Sequence, residues 1–417
     1  MKERISVGII GLGGRGAGLM RQCLLPRDDV AVTAVCDLFA DRVAAAAEIA
    51  APAGIPAPGG TAAQAWSGKP FTTNDYRELL NLPNIDAVLI ATGWVPHIEL
   101  ACEAMKSGKF AAIEVGGAYS VQDCWKLVRT YEQTGTPCMF LENCCYGRYE
   151  LMAQNMARHG VFGELVHCQG GYRHDLREEV AYGTETRHYR FYEYLHRNCD
   201  NYPTHELGPI ATMLDINRGN RMLSLVSCAS KAAGMDEYMA ARKKAPACAN
   251  TGKQRFIQGD VVTTIIKCAR GETITLTLDT TLPRAYSRGF HVQGTKGMYS
   301  EDNNSVFLDS EHREYEFDWH GIWGNAERYL EKYEHPVWKA YIAEGVKGGH
   351  DGIDWLVISA FIKAVKEGRQ PPIDVYDAAS WMSVSCLTED SIAAGGAPVA
   401  VPDFTNGRWI RREPWEA

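Results

Sequence analysis

Short apolar runs and amphipathic stretches alternate along the first 140 residues. Ile5-Ser6-Val7-Gly8-Ile9-Ile10 and Val30-Ala31-Val32-Thr33-Ala34-Val35-Cys36 are almost continuously apolar, the pattern of strands buried on both faces. Residues 42–50 are alanine-rich and helical in pattern, and residues 51–70 read as a Pro/Gly-rich loop. A strand at 85–91, a helix at 97–107, a strand at 110–115, a helix at 121–134 and a strand at 137–142 follow. Strands separated by helices at this spacing predict a parallel, doubly wound α/β sheet with right-handed crossovers.

From about residue 163 the pattern changes. Segments at 163–175, 222–231, 260–268, 272–279, 289–294 and 297–301 are strand-like and often alternate in polarity, and a helix begins near Pro203. This predicts a C-terminal α+β domain with a large, mostly antiparallel open sheet. The chain then turns helical again, over 327–344, 352–367 and 375–394. The natural division is a domain at 1–142 and a second at 143–417, because one core rarely grows to 417 residues.

Candidate chemistry begins at the end of the first strand, with Gly11-Leu12-Gly13-Gly14-Arg15-Gly16 opening a helix pattern. A strand, a G-x-G-x-x-G turn, a helix and then an acid at the end of the second strand, Asp37, form the layout of a dinucleotide-binding Rossmann unit. Unpaired N–H groups at the helix start favour a pyrophosphate. Asp37 would accept hydrogen bonds from the adenosine ribose and repel a 2′-phosphate, which favours NAD(H) over NADP(H). In such sheets ligands sit at the carboxyl ends of the strands, so residues 91–97, Glu114-Val115-Gly116 and Glu142-Asn143 are expected along a rim beside the cofactor.

Composition narrows the partners. A formal net charge of −8 argues against a nucleic-acid binder. No run approaches the roughly eighteen apolar residues of a membrane span. Met1-Lys2-Glu3-Arg4 leads straight into the first strand, so a cytoplasmic protein is expected. The thirteen cysteines include no C-x-x-C, and Cys144-Cys145 is their only tight cluster. They read as reduced thiols, with no metal site expected. An open sheet would invite a homo-oligomer, dimer or tetramer.

The fingerprint, Ala91-Thr92 with His97 five residues on, the helix end at Gly108-Lys109, and Glu114 resemble the glucose–fructose oxidoreductase/inositol dehydrogenase (Gfo/Idh/MocA) superfamily. In the dehydrogenases of that superfamily the glutamate is followed by Lys-Pro. Here Val115-Gly116 stands instead, which disfavours a simple sugar dehydrogenase. Asn198-Cys199-Asp200-Asn201-Tyr202-Pro203-Thr204-His205-Glu206-Leu207-Gly208-Pro209 is similar to the signature of a narrower branch, the NAD-dependent α-N-acetylgalactosaminidases of glycoside hydrolase family 109. Glu142-Asn143-Cys144-Cys145-Tyr146, Gly171-Tyr172-Arg173-His174-Asp175 and the stretch from Thr281 to Arg288 agree with it. The resemblance implies NAD contacts from Gly11, Gly13, Arg15, Gly16, Asp37, Trp94, His97, Glu114, Val115 and Asn143. It implies substrate or catalytic contacts from Tyr172, Arg190, Tyr202, His205 and Tyr286.

The same resemblance implies a mechanism. NAD+ oxidises the sugar at C3, the proton on C2 becomes acidic and is removed, and the C1 substituent is expelled. Water then adds and the hydride returns. NAD-dependent glycosidases are a recognised exception to paired-carboxylate hydrolysis. The catalytic candidates are His205, Tyr172 and Tyr286. His205 lies just inside a helix start, where the dipole favours neutral imidazole as a base for the C3 hydroxyl. Either tyrosine would need help to take the C2 proton, and Arg173, Arg284 and Arg288 are near in sequence. Residues 187–192 are polar and aromatic and read as a loop, with Arg190 offering donors to sugar hydroxyls. In the same loop and just beyond it, Tyr189, Phe191, Tyr192 and Tyr194 offer flat faces to the ring. An NAD-dependent sugar or inositol dehydrogenase, and a catalytically silent NAD-binding regulator, are the alternatives. Sugar, linkage and anomer stay open.

Overall fold

The computed structural model describes residues 2–50, 69–242, 255–313 and 319–417. The loop expected at 51–70 lies almost wholly outside them. Two compact units emerge. The first comprises Met1–Val115, Trp125–Asn143 and Gly345–Ala378; the second comprises Gly116–Cys124, Cys144–Glu344 and Ala379–Ala417.

The first unit is built on β1 (Ile5–Ile10), β2 (Val30–Cys36), β3 (Phe71–Thr73), β4 (Ala87–Ile90), β5 (Phe110–Ile113) and β6 (Cys138–Phe140). Their order is β3-β2-β1-β4-β5-β6 and every pair is parallel. The chain runs outward from β1 to β3, then returns to β4 beside β1. That reversal opens a crevice at the carboxyl ends of β1 and β4. The short β3 was not anticipated, since Phe71 and Thr72 are exposed and carry no buried-strand pattern.

The sequence assigned everything after residue 142 to the second domain, yet Gly345–Ala378 belongs to the first unit. The reason is an apolar face. In the helix Ile353–Glu367 the residues Leu356, Val357, Phe361, Ile362 and Ala364 are buried, and the helix packs on β1. Phe361 meets Phe110 edge-on at 5.6 Å, and Arg27 lies over Trp355 while donating to Ser359 Oγ.

The second unit carries β7 (Leu165–Arg173), β8 (Met222–Ala229), β9 (Val261–Cys268), β10 (Thr273–Asp279), β11 (His291–Gly294), β12 (Gly297–Ser300), β13 (Ser305–Leu308) and β14 (Val399–Ala400). They form one sheet in the order β13-β12-β11-β7-β10-β9-β8-β14. Only β7 and β10 pair in parallel. Alternation sets the two faces: Val262, Thr264, Ile266 and Cys268 of β9 are buried, while Thr263, Ile265 and Lys267 are exposed. The helix Thr204–Met213 packs on β7.

Two local expectations are corrected. The loop at 187–192 gives way to the helix Arg190–His196, whose Phe191, Tyr194 and Leu195 are buried. The helix expected over 327–344 is two, Glu327–Tyr333 and Pro336–Glu344, because proline lacks the N–H needed to continue the first.

Candidate active site

In the first unit the glycine turn is dictated by close approach. Gly11 has a φ of +95°, and a Cβ there would lie 2.6 Å from the Ala91 backbone. A Cβ on Gly16 would lie 2.0 Å from the Gly11 carbonyl oxygen, so the first helical turn meets the strand end only without a side chain. Asp37, at the end of β2, is nearly buried and fixed by this turn. Its Oδ2 accepts the Leu12 N–H at 2.7 Å and its Oδ1 the Phe39 N–H at 2.9 Å. Each oxygen keeps a second lone pair for a ribose hydroxyl. The bare glycine turn, the helix start and the pinned carboxylate fit a dinucleotide of the NAD type.

Beyond β4, Trp94 and His97 are both buried. His97 Nε2 donates to the Thr92 carbonyl at 2.9 Å, and burial lowers its pKa to about 4, so the ring is neutral. Glu114 follows β5 and is buried; its Oε2 accepts the Val115 N–H at 3.2 Å. Arg15 does not stand free beside the turn. It is bound bidentately by Asp354, at 2.7 and 2.8 Å, and its Nη2 lies 3.0 Å from Glu114 Oε1. Asn143 Nδ2 donates to the same Asp354 at 2.8 Å. Asp354, from the first turn of the helix Ile353–Glu367, carried no sequence signal for this role. Its partners lie more than two hundred positions away.

In the second unit an aromatic cluster gathers from three stretches. Tyr172 comes from β7, Tyr202 and His205 from the approach and first turn of the helix Thr204–Met213, and Tyr286 from the chain after β10. Ring centroids of Tyr172 and Tyr202 are 4.5 Å apart, Tyr202 and His205 4.7 Å, Tyr172 and His205 5.4 Å, and Tyr172 and Tyr286 6.3 Å. The cluster includes a residue the sequence reading passed over. Neighbours along an extended strand face opposite sides, so His174 turns away from Asp175. The same alternation turns 172 and 174 to one side.

His174 Nδ1 lies 2.9 Å from the Tyr172 hydroxyl, and its ring 5.1 Å from that of Tyr286. Burial and the nearby Arg190 charge lower the His174 pKa, so the ring is neutral, and in its Nε2–H tautomer Nδ1 accepts from the Tyr172 hydroxyl. Desolvation pushes the buried Tyr172 hydroxyl, and that of the half-exposed Tyr286, above the ordinary tyrosine value, so neither is a phenolate near neutral pH.

The arginines expected to activate them each pair with a carboxylate, and of the three Arg288 still lowers the Tyr286 pKa through its charge. Arg173 pairs with Asp302 and Arg284 with Asp279. Arg288 is half-buried between the buried Glu150 and Glu206, with Nε 3.2 Å from Glu206 Oε1. Arg190, expected in a loop with its donors offered to sugar, opens a helix, is buried, and pairs with Glu179 at 2.5 Å. Its guanidinium carbon lies 5.2 Å over the Tyr202 ring. Phe191 and Tyr194 belong to the core, and Tyr194 shares a hydrogen bond with Thr280. Tyr192 is exposed.

Comparison with known proteins gives a consistent answer. Residues 5–141 match the oxidoreductase family with an NAD-binding Rossmann fold, and residues 146–411 match the C-terminal domain of glycosyl hydrolase 109. A glycosyl hydrolase family 109 protein of Stenotrophomonas maltophilia is 39% identical over 99% of this chain and 91% of its own. An α-N-acetylgalactosaminidase of Tannerella forsythia is 40% identical over 82% of this chain and 75% of its own. Among solved structures, levoglucosan dehydrogenase in complex with NADH and L-sorbose superposes with a TM-score of 0.62 at 18% identity, covering 96% of this chain and all of that one.

Proposed function

The chain belongs to glycosyl hydrolase family 109, and from that footing we propose that it is an NAD-dependent glycosidase releasing N-acetylgalactosamine or a related hexose from α-glycosides. The observation that carries this reading is the convergence of Tyr172, Tyr202, His205 and Tyr286 from separate stretches, with Val115-Gly116 after Glu114 in place of a dehydrogenase's lysine.

On this reading the turn Gly11–Gly16 holds the pyrophosphate and Asp37 the ribose, while Arg15, Trp94, His97, Glu114, Val115 and Asn143 complete the cofactor site. Bound NAD+ supplies an acceptor that takes a hydride from the sugar and later returns it. His205 takes the C3 hydroxyl proton. Tyr172 takes the C2 proton as its own proton passes to His174 Nδ1, so a phenol serves without ever becoming a phenolate. The electron pair left on C2 expels the C1 oxygen, to which the Tyr286 hydroxyl, protonated at neutral pH, gives a proton. Arg190, held by Glu179 against Tyr202, binds a sugar hydroxyl.

No helix among the described residues is long and apolar enough to cross a membrane, and no disulfide joins the described cysteines. Reduced thiols suit work in the cytoplasm. The exposed Val166, Leu223 and Ile265 on β7, β8 and β9 suit a dimer or tetramer, which light scattering would size.

The test is to incubate protein purified without added NAD with p-nitrophenyl glycosides of N-acetylgalactosamine, galactose and glucose. Nitrophenol release without net NADH is the expected result. NADH accumulating on free sugars would make the protein a dehydrogenase instead, and silence in both assays with NAD bound would leave a regulator. His205→Ala is expected to lose about 10²-fold or more in turnover while still retaining NAD. Unchanged turnover would remove His205 from the mechanism.

A further inference from the structure

Building on the cofactor reading above, we infer that Asp354 is a positioning residue for the NAD site, a carboxylate that touches no ligand but fixes the residues that do. The argument starts from its lone pairs. A carboxylate offers about four acceptor positions. Asp354 Oδ1 receives Arg15 Nη2 at 2.8 Å and Asn143 Nδ2 at 2.8 Å. Oδ2 receives Arg15 Nη1 at 2.7 Å and His350 Nδ1 at 2.7 Å. All four positions are used by protein, and the residue is 1% exposed. It has no capacity left for a nucleotide.

An acid in the first turn of a helix is commonly no more than a partner for the dipole. Here that role does not account for the geometry. The bidentate fork sets the plane of the Arg15 guanidinium, and Arg15 in turn lies 3.0 Å from Glu114 Oε1. The bond from Nδ2 fixes which way the Asn143 amide faces, because a carboxylate accepts only from the nitrogen. His350 must present a protonated Nδ1, so the 3.4 Å approach of Arg15 Nη1 to that atom is contact and not a second bond. Burial disfavours the Asp354 charge, but the hydrogen bonds and charges of His350 and Arg15 hold its carboxyl well below the ordinary range. The anchor therefore stays ionised at any working pH. Two residues assigned to the cofactor, Arg15 from the glycine turn and Asn143 after β6, are held by this one side chain, and Glu114 after β5 is met through Arg15.

The test measures NAD binding to protein stripped of cofactor, by calorimetry with no glycoside present. Asp354→Asn keeps the shape and loses the charge. The dissociation constant for NAD is expected to rise about 10- to 100-fold, the equivalent of one charge-assisted hydrogen-bond pair. Arg15→Met should weaken binding comparably, and the double variant should be little worse than either single one, since the two act as a unit. If Arg15→Met weakens NAD and Asp354→Asn does not, or if the two effects add, Asp354 has no positioning role. If Arg15→Met itself leaves NAD binding unchanged, the assignment of Arg15 to the cofactor falls and this inference with it. Asn143→Asp gives a second route that leaves the Arg15 fork in place: it sets two carboxylates against each other and should weaken NAD. Adding Asp354→Asn should then restore part of the loss. Failure to restore any of it would also overturn the inference.

Discussion

At the scale of single residues, the Tyr172–His174 pair has a sharp kinetic signature. Burial and Arg190 disfavour the imidazolium of His174, so it stays neutral, and able to accept, to lower pH than an ordinary histidine. The His174 contribution to turnover is therefore expected to persist below the usual histidine titration and to be lost only in more acidic buffer. His174→Gln and Tyr172→Phe should each lower kcat about 10²-fold with NAD retention unchanged, and the double variant should lose little more. Additive losses in the pH-rate profiles of the three variants would break the pair. Asp200 offers a separate prediction. It is 1% exposed, and burial raises its pKa to about 7, with only the Tyr202 N–H bond opposing. An acid whose folded pKa exceeds its unfolded one binds its proton more tightly when folded. Stability is thus complete at low pH and declines as pH climbs from about 4 to 7. Asp200→Asn should flatten that decline, gaining up to ~4 kcal/mol at pH 8 in urea unfolding.

At the scale of elements, the glycine turn separates two roles within one motif. Among the described residues nothing lies within 4 Å of a Cβ placed on Gly14, whereas one on Gly16 would meet the Gly11 carbonyl at 2.0 Å. Gly14→Ala should therefore change stability by about 0.5 kcal/mol or less and keep NAD. Gly16→Ala should force the helix off the end of β1 and abolish nucleotide retention, measured by releasing and quantifying bound NAD. Arg288 poses the opposite problem, because it lies between the buried Glu150 and Glu206. Arg288→Met would leave two buried carboxylates facing each other, a loss of about 3–5 kcal/mol in denaturant unfolding. Glu150→Gln, which leaves one acid for one base, should be far milder.

Across the whole molecule, what the sequence made legible was what repeats locally. The parallel sheet, its glycine turn and the alternating strands β9 and β10 announce themselves in periods of a few residues. So do Tyr172, Tyr202, His205 and Tyr286, through the motifs that carry them. What stayed hidden depends on meetings between distant positions. Nothing near Asp354 in sequence points to Arg15 or Asn143, and nothing around Arg288 points to Glu150. The first turn of the helix Arg190–His196 falls in the stretch 187–192 that reads as loop, because its polar and aromatic residues hide the buried Phe191. Arg173 and Arg288 looked available because their carboxylate partners, Asp302, Glu150 and Glu206, come from elsewhere in the chain.

The return of Gly345–Ala378 to the first unit has a consequence for the making of the protein. A ribosome finishes all six strands of the parallel sheet long before it reaches the helix that covers β1 and carries Asp354. Until then the nascent sheet carries an uncovered greasy flank, and Arg15 and Asn143 lack their shared anchor. A fragment stopping at residue 143 should therefore stick to chaperones or precipitate, and should capture no NAD. Splicing residues 345–378 onto its end through a flexible tether should restore both solubility and capture.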